Sequence, residues 1–222
     1  MSARAQILAR LRAARGDARP AAPQVGAWYA QTGDDPATRA QRLQTLLEAA
    51  HAQVLRATPA NWAIQVAEHL LQAGVTRLLL PGDGTEATLL AAELGRRAPA
   101  VHARPFDQPY EDLRDTLFDA TDAGFTVADC AIAATGTLVL KSSPAQPRTL
   151  SLVPHLHVAL IDARRIHADL YAASQAEGWA GNLPTNLIMV SGPSKTADIQ
   201  QVLAYGAHGP RAMLVVIVAK EA

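Results

Sequence analysis

Five short apolar-rich runs punctuate the second two-thirds of this 222-residue chain: VTRLLL, AVHARP, HVALID, NLIMV and AMLVVIVA. Helical patterns of 10 to 13 residues separate most of them. Runs that lack a polar–apolar alternation are strands covered on both faces, and parallel strands need crossovers of about a dozen residues. The pattern therefore predicts an α/β fold, a mostly parallel twisted sheet with helices on both faces. Helices are expected at 85–97, 110–119, 165–177 and 196–205. FTVADCAIAATGTLVLKSS departs from the rhythm, with two short strands joined at Thr135-Gly136, and reads as an antiparallel hairpin insertion near 130–141.

The first sixty residues read as helices. Ser2 caps an amphipathic segment that turns Ile7, Leu8 and Leu11 inward and stops at Gly16. Residues 16–35 form a long connection. Asp35-Pro36 then opens a helix with Leu43, Leu46, Leu47, Ala50 and Val54 on one face. Asn61 caps another, which ends at Gly74. These elements suggest an N-terminal helical extension over 1–60 and an α/β domain over 61–222.

Composition narrows the function. Twenty basic and twenty acidic residues leave a formal net charge of zero, whereas a nucleic-acid or membrane-surface protein would carry a basic excess. No run reaches the roughly 20 apolar residues of a membrane span. Cys130 is the only cysteine, which excludes an intrachain disulfide, a multi-cysteine zinc site and a self-contained iron–sulfur cluster. A cytoplasmic location is expected.

In open α/β sheets ligands bind beyond the carboxyl ends of the strands. On that rule Pro81 to Thr85 and Ser191 to Thr196 both face the site, each a small-residue loop at a helix start, where amides and the helix dipole favour an anion. Gly82, Gly84 and Thr85 would form one wall; Ser191, Gly192, Ser194, Lys195 and Thr196 the other. Lys195 stands out among three lysines and seventeen arginines. The guest would be a carboxylate or a phosphate. Ser194, Thr196 and Asp198 would equally serve as plain helix caps. A phosphate-loop motif is excluded, because Ser194 and Met189 occupy its glycine positions. Gly82-x-Gly84-x-x-Ala87 fits a relaxed dinucleotide fingerprint, with Asp107 as the distant acid. His155 and His157 share strand spacing but lack an evident third ligand, so no metal site is expected. A helix of about 15 Å from Thr196 would put His208 and Lys195 at opposite edges of the sheet.

SGPSKTADI, the later HGP, the hairpin ATGTLVL and RTLSLVP together resemble the lactate-utilisation protein C family, or LUD domain. The match runs from Phe125 to Val218 in order and spacing. The resemblance implies a fold related to ribose-phosphate isomerases and CoA-transferases. It also implies a role in a three-protein system oxidising L-lactate to pyruvate, with iron–sulfur oxidoreductase subunits as partners. The signature covers Thr135, Gly136, Thr137, Arg148, the loop from Gly192, and His208 to Pro210. Family members carry glutamate where this chain has Ala134, and many carry it where this chain has Gln200. The first departure removes the natural general acid or base, so the resemblance leaves the catalytic residues and any cofactor unassigned. Three functions stay open. One is a subunit of the lactate-oxidising system that binds a small organic anion or a cofactor portion at the loop 191–196. The second is a free-standing isomerase- or CoA-transferase-like enzyme using Asp83, Asp162 or Asp198. The third is an interaction module without a ligand.

Overall fold

The computed structural model describes residues 2–15, 21, 23, 25–29, 34–197 and 203–219. The chain divides into two units, Met1–Gln31 and Thr32–Ala222. In the first, α1 (Ala3–Arg15) begins at Ser2, whose hydroxyl accepts from the Ala5 N–H at 3.3 Å, and α2 spans Val25–Tyr29. The sequence turns Ile7, Leu8 and Leu11 inward; all three are exposed. The expected stop at Gly16 lies outside the described residues.

The second unit starts with α3 (Pro36–Ala49), and Asp35 accepts from the Ala37 and Thr38 amides as its cap. The expected helical face does not reach Val54. His51 takes a left-handed backbone, φ 69°, and the chain leaves as a strand, β1 (Gln53–Ala57). α4 (Trp62–Gln72) follows, but Asn61 does not cap it: its side chain accepts from the Thr58 N–H instead. Then come β2 (Arg77–Leu80), α5 (Thr85–Arg97), β3 (His102–Pro105), α6 (Tyr110–Asp119) and β4 (Ala123–Val127). The hairpin insertion is β5 (Cys130–Ile132) and β6 (Thr137–Lys141), which pair antiparallel across a short 3₁₀ turn. α7 (Thr149–Leu152), β7 (Leu156–Asp162), β8 (Ile166–His167), α8 (Leu170–Ala176), β9 (Leu187–Val190), β10 (Lys195–Ala197), β11 (Leu203–Tyr205) and β12 (Ala212–Val218) complete the order.

Six strands form a wholly parallel sheet in the order β1-β12-β7-β4-β2-β3. Two adjacent interior strands, β12 and β7, are the longest described strands at seven residues each, and both are apolar over most of their length, as burial on both faces requires. One face packs Phe125, Val158, Leu160, Leu214 and Val216 against α4 and α5, where Trp62 stacks on Phe125 at 5.9 Å. The other packs Ala159, Ile161, Val215 and Ile217 against α3 and a second sheet, β8-β5-β6-β9.

NLIMV is the principal departure in topology. The apolar run is a strand, but β9 joins the second sheet, antiparallel to β6. The expected helix from Thr196 is a second departure: β10 and β11 form an antiparallel hairpin, with Lys195 opposite Tyr205. The expected helix at 165–177 is shorter, since β8 occupies its first turn and α8 begins only after Asp169.

Candidate functional site

The register of β9 against β6 sets Val190 opposite Leu138, which brings Ser191, just past the end of β9, to Thr137, the first residue of β6. Thr137 and Ser191 share a hydrogen bond between hydroxyls at 2.8 Å, and Thr135 joins the same chain of hydroxyls at 2.7 Å. Two glycines let this corner close. Gly136 sits at φ 63°, and a Cβ there would lie 2.5 Å from the Leu46 Cβ; Gly192 sits at φ 144°, and its Cβ would lie 2.9 Å from the Ala50 Cβ. Both glycines therefore press on the last turn of α3. Their absent side chains admit packing against that helix.

Ser194 then locks the loop to the segment before β12. Its N–H donates to the Pro210 carbonyl at 2.9 Å, and its own carbonyl accepts from the Gly206 N–H at 3.0 Å. Its hydroxyl accepts from the His208 N–H at 3.3 Å. The two parts of the sequence signature, Gly-Pro-Ser and His-Gly-Pro, are thus hydrogen-bonded to one another. They enclose a cavity of about 310 Å³ lined by Ser151, Ser191, Ser194, Lys195 and His208, with His157 and Met213 also on its wall. That volume is at the small end of ligand cavities. His208 and Lys195 share this cavity, contrary to the opposite-edge expectation. The expected helix would have carried the chain across the sheet, whereas the hairpin returns it.

The cavity stands at the amino ends of the central strands, since Met213 pairs with His157 in their second positions. The carboxyl-edge rule does not describe this site, because the signature loop follows a strand of the other sheet. No helix starts at Thr196, so the helix-dipole contribution to the expected anion site is absent. What remains is an exposed lysine, three hydroxyls and two histidines.

His157 is a residue whose part here the sequence reading missed. It is almost wholly buried; its Nε2 meets the Thr126 hydroxyl at 2.8 Å, while its Nδ1 has no hydrogen-bond partner among the described residues. Burial pushes its pKa down to about 4, so the imidazole is neutral at pH 7. Ser151, within RTLSLVP, is the other residue not singled out. Its hydroxyl donates to the Arg148 carbonyl at 3.0 Å. Arg148 itself is exposed at the start of α7 and does not line the cavity; it touches Ser151 only through its carbonyl. His155, expected to share a face with His157, precedes β7 and lines a different cavity with His51, His69 and Arg211.

Gly82, Gly84 and Thr85 are not brought to Ser191–Lys195. They lie at the carboxyl edge, where the Gly82 N–H is already bonded to the Ala145 carbonyl at 2.8 Å. A Cβ on Gly82 would lie 2.3 Å from the Phe106 carbonyl oxygen, which makes it a packing glycine. The adjoining cavity of about 490 Å³ carries Asp83, Glu86 and Asp129 against Lys141, which itself pairs with Asp129. That balance disfavours an anion. Among the carboxylates weighed as a general base, Asp83 belongs to this acidic cavity and Asp162 is held by Arg164. Asp198 lies outside the described residues. Cys130 is fully buried, with its thiol pushed up to about 12 mainly by burial.

Comparison with known proteins follows the same lines. The LUD domain family model matches residues 40–218. An uncharacterised protein of Neisseria meningitidis serogroup B is 38% identical over 98% of this chain and 94% of its own length. Lactate utilization protein C of Shouchella clausii is 36% identical over 41% of this chain, and that of Bacillus mycoides 36% over 45%. These matches span 42% and 44% of the two relatives, less than half of each. A crystal structure of a DUF162 family protein from Deinococcus radiodurans superposes with a TM-score of 0.59 at 20% identity, covering 84% of this chain and 99% of that one. That likeness concerns the fold alone.

Proposed function

Because the chain belongs to the LUD domain family, we propose that it is a component of an L-lactate-utilisation system. In this reading it holds a small organic anion between Ser191–Lys195 and His208. The observation that carries it is the convergence of separate signature segments on one small cavity lined by hydroxyls, a lysine and histidines. A carboxylate would sit against the Lys195 ammonium and the Ser191 and Ser194 hydroxyls. Neutral His157 would offer Nδ1 to the hydroxyl or keto oxygen beside that carboxylate, depending on tautomer. The names of the shorter-range relatives supply the metabolic context.

This chain's residues bind and orient; the oxidation itself is assigned to iron–sulfur oxidoreductase subunits acting as partners. Among the described residues no helix is long and apolar enough to cross a membrane. The test is thermal unfolding with L-lactate, pyruvate, inorganic phosphate and CoA at millimolar levels. A ligand at 100 times its Kd stabilises by about 2.7 kcal/mol, and lactate or pyruvate is expected to do so. Failure of all four to raise the melting temperature would overturn the reading.

A further inference from the structure

A second cluster of reactive side chains stands apart from the signature cavity. Cys130 begins β5, His167 ends β8, which pairs parallel to β5, and Glu177 caps the end of α8. Their ligand atoms, one thiol sulfur, one imidazole nitrogen and one carboxylate oxygen, all lie within 4.8 Å of one another. His167 Nε2 and Glu177 Oε1 are 2.9 Å apart. The Cys130 and Glu177 side chains are nearly inaccessible and that of His167 is largely so. We propose that Cys130, His167 and Glu177 form a binding site for a single Zn²⁺ ion.

Three features favour a metal over a purely structural contact. The donor set is mixed and suits zinc: thiolate, imidazole and carboxylate each bind it at about 2.0–2.3 Å, within reach of atoms this close. The charges balance, since one thiolate and one carboxylate cancel the dication while a neutral imidazole completes the trio. Finally, a core cysteine has no need of a carboxylate neighbour, yet a Glu177 oxygen stands within 4.8 Å of the Cys130 sulfur. On binding, the thiol proton is released to solvent and the ion takes the place of the hydrogen bond between His167 and Glu177.

The surroundings fit an outer layer of support. Arg165 donates to the second oxygen of Glu177 at 2.8 Å and to the Asp129 carbonyl at 2.7 Å, which fixes the carboxylate while leaving Oε1 to the ion. Trp179 packs in the same apolar cluster as Cys130, and its indole N–H is buried without an acceptor among the described residues. The single cysteine, which in the sequence excludes the common multi-cysteine zinc sites, is here one member of a three-residue set drawn from three elements.

The experiment uses untagged full-length protein stripped with chelator and titrated with Co²⁺, then with Zn²⁺. Expected is a thiolate-to-cobalt charge-transfer band in the near ultraviolet that saturates at one ion per chain and is displaced by one equivalent of Zn²⁺. Cys130→Ser abolishes the band, and Glu177→Gln weakens Zn²⁺ binding about tenfold or more. Absence of the band in folded wild-type protein, or its persistence in Cys130→Ser, would overturn the site. Should Cys130→Ser fail to fold, Glu177→Gln, which keeps the thiol, decides: unchanged Zn²⁺ affinity refutes the proposal.

Discussion

Ser194 and Pro210 are joined main chain to main chain, the N–H of one donating to the carbonyl of the other at 2.9 Å. That bond places Lys195 and His208 on one cavity and makes the two ends of the β10–β11 hairpin a single structural corner. Lys195→Ala should leave this corner intact, because an exposed ammonium contributes little to folding. The melting temperature without ligand is expected to change by less than about 2 °C, with ligand-induced stabilisation lost. A large drop in the ligand-free protein would make Lys195 a structural residue.

Gly192 touches α3 so closely that a methyl group has no room. Gly192→Ala should destabilise by about 2–4 kcal/mol, from the left-handed backbone and the contact with Ala50 together. Gly95, within α5, has no described residue within 4 Å of its absent Cβ, so Gly95→Ala should stabilise by about 0.5–1 kcal/mol. Urea unfolding of both variants measures the contrast; equal effects would contradict the packing described.

His157 sets a pH dependence. Its folded pKa of about 4 lies below the ordinary 6.5, so the unfolded chain binds the proton first as pH falls. Stability is therefore lost between pH 6.5 and about 4, with a total of about 3 kcal/mol at one proton per unit. His69, also lowered by burial, acts in the same direction. The depressed carboxylates Asp122 and Asp162 lose their contribution as pH falls through their own, lower values. Comparing wild type with His157→Gln isolates the histidine: the variant should show a shallower fall from pH 6.5 to 4, and an unchanged slope would contradict a buried neutral imidazole.

Much of the fold is legible in sequence because β12 is an unbroken apolar run, β2 and β7 are apolar apart from Arg77, His157 and Asp162, and α5 begins beside Gly84 and carries arginines in its last turn. β1 is not. Leu47, Ala50 and Val54 keep helical spacing, and the stop is His51 in a left-handed backbone that no glycine or asparagine announces. The hairpin of β10 and β11 is hidden for a different reason. TADIQQVLAY has helix-forming composition, and pairing between Lys195 and Tyr205 overrides it at both ends. β9 is recognisable as a strand, but its membership of the second sheet depends on β6, a distant partner. The Ser191–Lys195 loop can be proposed as a site from sequence, whereas its neighbours His157 and Ser151 become visible only in the packing of β7 and α7.

The most direct test is an amide-resolved nuclear magnetic resonance titration with L-lactate and with pyruvate. The account predicts saturable shifts concentrated at Ser191, Gly192, Ser194, Lys195, His208 and Gly209, and their loss in Lys195→Ala. Shifts centred instead on Asp83 to Glu86, or none at millimolar concentrations of either acid, would contradict it.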